Sequence, residues 1–509
     1  MVIAFAYPPL PSEKGVPLLS QNRQFQWFSR PTYIFPVVPA TAATMMKKAG
    51  HDVVWLDGIA EEWTPEEFEW RLAEAKPDLV VLETKTPVVK RHWKWISDHA
   101  APSTKHQAPS TDPSAPSTKH QAPSTKYALV GDHVTALPEE TMAACPVDYV
   151  LTGGDWDFLV KNLVESGFAP SKFEPGIWYR DGGEVKNTGR FQLNHDLNAA
   201  PWIDRDLCHW KLYAVKNGNF RRTPGTYIMS GRDCWHAKCT FCSWTTLYPH
   251  YRTRDPIDVV NEIGDLIERY GVKEIMDDSG SFPVGQWLKT FCDEMIARGY
   301  NKKLRIDCNM RFGRLTYEDY ALMRKAGFRL VLFGVESANQ YTLDRFVKAL
   351  KVEDVEKGAE WAHKAGLDVH LTFMFGHAWE GPEEIANTVK LARKMLAKGW
   401  ASTLQCTMTI PYPGTPLFKE LKENDGLTTL DWDEYDMRRQ ITKTPLASED
   451  EIKKAVRKVY SGFFQPQAIL RRLFSTRTLF DFGFYYRGLR SLLGHLLDFR
   501  KTSERCKEC

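Results

Sequence analysis

The sequence predicts an α/β protein: a doubly wound N-terminal unit, then a partial (β/α)6 barrel, then a helical C-terminal region. Three observations predict this. Short apolar runs alternate with helical patterns along most of the 509 residues, which is how βαβ units and parallel sheets read in sequence. A Pro/Ser-rich repeat at 101–126 interrupts the first series of units without ending it. Three closely spaced cysteines, Cys234, Cys239 and Cys242, follow the first apolar run of the second series, and β/α barrels place their chemistry at the carboxyl ends of strands.

The first series fills residues 1–165. Strands are expected at Val2-Ile-Ala-Phe-Ala, His51 to Leu56, Asp78 to Leu82, Tyr127 to Gly131 and Asp148 to Leu151. Helical patterns lie between them at Thr41 to Ala49, Pro65 to Ala75, Val88 to His99 and Leu137 to Ala144. Five strands with intervening helices imply an open sheet that binds its ligand where the strand order reverses. Within the repeat, Ala-Pro-Ser-Thr recurs every seven residues with no aliphatic side chain larger than alanine. Such a segment buries too little apolar surface to offset its ordering entropy, so disorder is expected. Residues 166–222 read as a linker.

The second series occupies 223–440. Its expected strands begin at Tyr227, Lys273, Leu304, Arg329, Asp368 and Thr403, and its helices run over Ile257 to Tyr270, Trp287 to Ala297, Tyr317 to Ala326, Val355 to Ala365 and Glu383 to Ala397.

The cysteines carry the chemistry. Three thiolates with no fourth cysteine nearby can hold three irons of a 4Fe-4S cluster and leave the fourth iron open to a substrate or cofactor. A structural zinc site needs four ligands, and the local candidate for the fourth is His236. A disulfide framework fits less well, because ten cysteines in this length is ordinary usage and no signal-peptide pattern opens the chain. A reducing cytoplasm is the expected compartment.

Further segments accompany the cysteines in order: Cys-Thr-Phe-Cys at 239–242, Tyr-Arg-Thr-Arg at 251–254, Asp277-Asp278, Phe-Gly-Val-Glu-Ser at 333–337 and Pro-Tyr-Pro-Gly-Thr-Pro at 411–416. With these, the segment from about Thr226 to Leu427 resembles a radical S-adenosylmethionine (SAM) core. More narrowly, the chain resembles the subgroup with a cobalamin-binding domain, which includes anaerobic Mg-protoporphyrin IX monomethyl ester cyclases and hopanoid-biosynthesis proteins. It departs from the usual Cys-x3-Cys-x2-Cys pattern by one extra residue between Cys234 and Cys239.

The resemblance implies a 4Fe-4S cluster on Cys234, Cys239 and Cys242, with SAM on the open iron. Asp277 and Asp278 would accept from the SAM ammonium, Glu336 would reach the ribose, and Phe241, Phe375 and Gly376 would flank the adenine. Arg254 and Arg311 are candidates for the SAM carboxylate. Each has a plainer reading: a helix N-cap pair before Phe282 for the two aspartates, a surface salt bridge for Glu336, solvation for the arginines. In the first unit the resemblance rests on Val130 to Glu140 and Asp148 to Gly154. It implies cobalamin contacts from Thr84, Gly131, Asp132 and Gly153, with the corrin's lower face either unligated or covered by a side chain such as Thr84 or Lys85, since the chain has no Asp-x-His-x-x-Gly. His133 reads as a helix-flanking polar residue.

A net charge of +3 gives no argument for nucleic acid. From 465 to 501 arginines mix with Leu and Phe. This pattern suits either peripheral contact with an anionic membrane or a cap on the barrel. Cys506 and Cys509 read as a frayed tail.

The expected function is reductive cleavage of SAM at the cluster, starting methyl transfer or cyclisation on a hydrophobic lipid or tetrapyrrole substrate with cobalamin. Flavodoxin or ferredoxin would supply the electron. Alternatives are the same radical chemistry without cobalamin, leading to rearrangement or cyclisation, and an iron-sulfur redox or sensor module.

Overall fold

The computed structural model describes residues 1–19, 27–28, 31–100, 125–466 and Gly483. The expected disordered repeat, apart from Thr125 and Lys126, the basic stretch beyond 466, and Cys506 and Cys509 lie outside the described residues.

Seventeen strands are named in chain order among the described residues. They are β1 (Val2–Tyr7), β2 (Val16–Pro17), β3 (Trp27–Phe28), β4 (Asp52–Asp57), β5 (Leu79–Glu83), β6 (Lys126–Val130), β7 (Tyr149–Leu151), β8 (Ile177–Asp181) and β9 (Glu184–Asn187). There follow β10 (Gly225–Ile228), β11 (Gly231–Arg232), β12 (Arg252–Thr253), β13 (Glu274–Asp277), β14 (Arg305–Met310), β15 (Phe328–Glu336), β16 (Asp368–Phe375) and β17 (Thr403–Met408).

The first sheet runs β4-β1-β5-β6-β7-β8-β9. Its first five strands are parallel. Strands β1 and β5 are apolar on both faces, as strands covered by helices on both sides must be. The reversal of strand order between β1 and β5 opens a crevice at their carboxyl ends. The stretch expected to be a linker contributes more than a connection: β8 pairs antiparallel with β7, and β9 with β8 around Gly182-Gly183. The hairpin escapes a sequence reading because β9 is exposed at every position and shows no apolar alternation.

The second sheet runs β10-β13-β14-β15-β16-β17, all parallel and in chain order. The helices between its strands start and stop on sequence signals. Over Pro256–Tyr270, the Asp255 side chain accepts from the Ile257 and Asp258 N–H groups, Pro256 fills the first turn, and Gly271 closes the helix at φ +63°. The described part of the C-terminal region is a helix, Glu449–Tyr460, that packs on the barrel helix Pro382–Lys398. Arg393 donates to the Lys458 carbonyl there at 2.8 Å. Among the described residues no helix is long and apolar enough to cross a membrane.

One glycine is fixed by both conformation and space. Gly131 has φ +123°, and a Cβ there would run into the Thr84 carbonyl. Gly131→Ala should therefore destabilise the protein by about 2 kcal/mol or more. The denaturation midpoint measures this, and an unchanged midpoint would contradict the assignment.

Candidate active site

The three cysteines occupy a loop that leaves the carboxyl end of β10 and is stapled on several sides. At its start the Asp233 carboxylate accepts from the Gly280 N–H at 2.6 Å, where a side chain at position 280 would collide with it. Further along, His236 Nε2 lies 2.6 Å from the Val347 carbonyl. The Thr240 N–H donates to the Phe346 carbonyl, and the Thr240 carbonyl accepts from the Leu417 N–H, both at 3.0 Å. His236 is thus engaged away from the thiols. Cys234 and Cys242 are half-buried, Cys239 is buried, and none is in a disulfide.

Burial pushes the Cys239 thiol up, opposed by the nearby Lys348 and Arg311 cations. Arg311 Nη1 lies 3.8 Å from Cys239 Sγ, and its guanidinium also donates to the Lys348 carbonyl and stacks on Trp235. Among the described residues no three His, Cys, Asp or Glu converge on a point as ligands of a single metal ion would.

The other expected SAM-site residues separate into two kinds. Asp277, at the end of β13, is fully buried with both oxygens engaged: Oδ2 accepts from Ser230 N–H at 3.0 Å and Ser230 Oγ at 2.5 Å, Oδ1 from Ser279 N–H at 3.0 Å. It ties the exit of β10 to the exit of β13. Asp278 is buried beside it, its N–H donating to the Ile228 carbonyl. Neither caps a helix, since the next one begins at Gln286 with Gly285 at its N-cap.

Glu336 ends β15 at φ +69°, where the register against β16 shifts, and pairs with Lys348 Nζ at 2.7 Å. That pair is buried, not on the surface. Phe241 packs edge-on against Phe346 at 4.8 Å, with Lys348 Nζ 5.8 Å above its ring. Phe375 is buried at the end of β16, and the Gly376 carbonyl accepts from Gln440 Nε2 at 2.7 Å. No sequence signal marks Gln440 as a neighbour. Arg254, read as a SAM-carboxylate candidate, instead pairs with Glu262 at 2.5 Å and Asp258 at 2.6 Å.

Polar atoms without a partner collect around the loop: Tyr251 OH, Trp235 Nε1 and Arg311 Nε are buried and unbonded. Burial pushes the Tyr251 phenol up, and the nearby charges of Asp277 and Cys234 add to it. Leaving a buried polar atom unbonded costs roughly 1–3 kcal/mol, so this concentration beside three thiols fits a polar cofactor pair such as a cluster and SAM.

At the crevice of the first sheet, Thr84 follows β5 and its Oγ1 lies 2.7 Å from His92 Nδ1, while Gly131 and Asp132 follow β6. Burial raises the Asp132 carboxyl, opposed chiefly by Lys85. Glu83 is a further group there: burial pushes it up to about 7, and Tyr7 OH donates to it at 2.5 Å. His133, expected to flank a helix, lies inside one, buried between Trp93 and Trp432, with Nε2 unbonded. Gly153 backs onto the Phe191 ring. This edge, with its hydroxyls, glycines and unbonded imidazole nitrogen, fits a large polar ligand such as cobalamin.

The two units meet at a buried ion cluster. Arg232, in β11, donates to Asp157 Oδ1 at 2.8 Å and Asp155 Oδ1 at 3.1 Å, and Arg252, in β12, to both Asp155 oxygens at 2.7 Å. Both aspartates are almost fully buried at the start of the helix Trp156–Glu165. His195 extends the cluster, its Nδ1 3.2 Å from Asp155 and its Nε2 2.8 Å from Glu174.

Comparison with known proteins bears on the second unit. Residues 228–392 match the radical SAM superfamily. This chain contains a radical SAM domain. It is 25% identical over 458 residues to an uncharacterized methyltransferase of Pyrococcus horikoshii, covering 86% of this chain and 90% of that one. It is 27% identical over 437 residues to the anaerobic magnesium-protoporphyrin IX monomethyl ester cyclase of Cereibacter sphaeroides, covering 83% of this chain and 66% of the cyclase.

Among solved structures, the radical SAM methyltransferase TsrM from Kitasatospora setae, with cobalamin and a 4Fe-4S cluster bound, superposes with TM-score 0.64 at 14% identity over 99% of both chains. OxsB, a cobalamin-dependent radical SAM enzyme with aqua-cobalamin and SAM bound, gives TM-score 0.66 at 13% identity, covering 97% of this chain and 72% of that one. At these identities the likeness shows the fold: the doubly wound unit ahead of the radical SAM domain is an arrangement these structures share.

Two outcomes follow for the ion cluster. Asp157→Ala leaves Arg232 buried without its bidentate partner and should cost about 3–5 kcal/mol, seen as a lowered unfolding midpoint. For His195, burial lowers the imidazole pKa, but hydrogen bonds to Asp155 and Glu174 outweigh it and raise the value above 6.5. Its stabilising contribution is therefore complete below the unfolded value and is lost as pH rises through the folded one. Between about pH 6 and pH 9 the midpoint of the wild type should fall more than that of His195→Gln; parallel curves would contradict the bridge.

Proposed function

We propose that this protein is a cobalamin-dependent radical SAM enzyme that carries out methyl transfer or cyclisation on a small, largely apolar substrate. The observation that carries the reading is the cysteine loop, held at the carboxyl end of the barrel's first strand and joined by buried charges to the first sheet. Trp235 lies within that loop, and Arg311 stacks on it and contacts Cys239.

In this reading Cys234, Cys239 and Cys242 hold the cluster, and Arg311 beside Cys239 offsets the thiolate charge. Glu336, fixed by Lys348, faces the ribose, and Phe241 with the backbone of Phe375 and Gly376 flanks the adenine. Asp278 is proposed for the SAM ammonium, next to Asp277, which Ser230 and Ser279 hydrogen-bond. Thr84, Gly131, Asp132 and Gly153 border the corrin. Bound there, the cluster supplies the electron that cleaves SAM and cobalamin supplies a methyl carrier or redox partner; the protein orients both and excludes water. The reductant is an external donor of the flavodoxin or ferredoxin kind. The relatives named for magnesium-protoporphyrin favour a tetrapyrrole over a lipid.

Anaerobic reconstitution with iron and sulfide, followed by SAM, dithionite and hydroxocobalamin, tests the reading. Methionine and 5′-deoxyadenosine or S-adenosylhomocysteine, with retained corrinoid, are expected. An intact cluster that consumes no SAM would favour a redox or sensor module, and SAM cleavage without retained corrinoid would favour the reading without cobalamin. Changing Cys234, Cys239 and Cys242 together to alanine should abolish cluster absorption and reduce SAM consumption to background.

A further inference from the structure

A cavity of about 820 Å³ lies between the β8–β9 hairpin with the chain that follows it, the cysteine loop, and the turn at Gly414 to Pro416. That size is typical of small-molecule sites. Its wall is composed unusually for a chain with nearly balanced charge. Arg190 and Lys238 line it from opposite units, and no aspartate or glutamate stands among its lining residues.

Both cations are exposed, and neither forms an ion pair or side-chain hydrogen bond with the described residues. Trp178 and Phe191 supply aromatic surface on the hairpin side. Thr246, also on the wall, has a buried hydroxyl with no partner. Cys239 reaches the same cavity, so a molecule held there sits against the cysteine loop.

These features specify a ligand. Two unpaired cations with no carboxylate among the lining residues, and with Arg311 beside the Cys239 sulfur, bias the cavity toward a positive potential, which its concave wall focuses. Aromatic walls take up an apolar body, and charge-assisted hydrogen bonds fix its orientation. We propose that this cavity is the substrate site and that it selects an amphipathic molecule with a broad apolar body and at least one carboxylate, paired by Arg190 and Lys238. Only the identification of the ligand as substrate rests on the radical SAM reading; the selection for a carboxylate stands on the wall itself.

The hairpin explains why the site is outside both sheets. It extends the first sheet by two antiparallel strands, and its return, through Gly189 and Arg190 to Phe191, runs to His195, which is held by Asp155 and Glu174. The cation and the ring are thus carried on a segment anchored at both ends.

Equilibrium binding tests the proposal without turnover. Protoporphyrin IX, with two carboxylates, and its dimethyl ester, with none, are titrated into the cluster-reconstituted protein and followed by quenching of tryptophan fluorescence. The acid should bind at least roughly tenfold more tightly than the ester, and the Arg190→Ala/Lys238→Ala variant should lose that preference. The charge-retaining Arg190→Lys should keep most of it. Raising the salt concentration should weaken the acid and leave the ester nearly unchanged.

Equal binding of acid and ester, or a preference that survives in the double variant, would overturn the proposal. Because both side chains are exposed and unpaired, the double variant should fold normally, and an unaltered unfolding midpoint checks this. Because the titration contains neither SAM nor reductant, a failure of SAM cleavage and a failure of carboxylate selection are separately visible.

Discussion

Everything near the cysteines depends on one joint: Arg232 and Arg252 against Asp155 and Asp157. Taking four charged groups out of water is costly, and they persist only in an arrangement where each hydrogen-bonds another. The consequence is positional. Apolar surfaces can slide past one another at little cost, whereas a bidentate guanidinium–carboxylate pair has one geometry. Arg232 sits two residues before Cys234, and Asp155 and Asp157 sit just past the carboxyl end of β7. The joint therefore fixes the start of the cysteine loop relative to the edge of the first sheet.

A second joint sits behind it. Arg205 is fully buried over the Phe35 ring, bonded to Thr226 Oγ1 at 2.8 Å and paired with Glu262, which also takes Arg254. Lys14 adds a third tie by pairing with Asp436 at 2.6 Å. A substrate held between the units thus meets a preset distance between first sheet and barrel, which is what chemistry across such a crevice requires.

The sequence made the repeating architecture legible because it is written locally. Apolar strands, N-caps such as Asp255 and closing glycines such as Gly271 need only neighbouring residues, and the barrel elements fall within a few positions of their expected bounds. The cysteine spacing is local too. What could not be read is who meets whom across long separations: Asp155 with Arg252 is 97 residues apart, Lys14 with Asp436 is 422. The hairpin β8–β9 stayed hidden because a solvent-facing edge strand has no apolar pattern to show.

Tyr-Arg-Thr-Arg at 251–254 is a motif whose partners cannot be read from its own residues. Of its two arginines, Arg254 is the one the sequence offers as a candidate for the SAM carboxylate. The structure commits both to carboxylates, Arg252 to Asp155 and Arg254 to Glu262 and Asp258. Asp277 repeats the lesson on the acidic side, since Ser230 and Ser279 engage both its oxygens. Charges near a site are candidates for ligand contacts only after the protein's own demands on them are met. By that criterion Arg190 and Lys238 qualify: neither pairs with a described residue, no sequence motif marks them, and both line the cavity that Cys239 also lines.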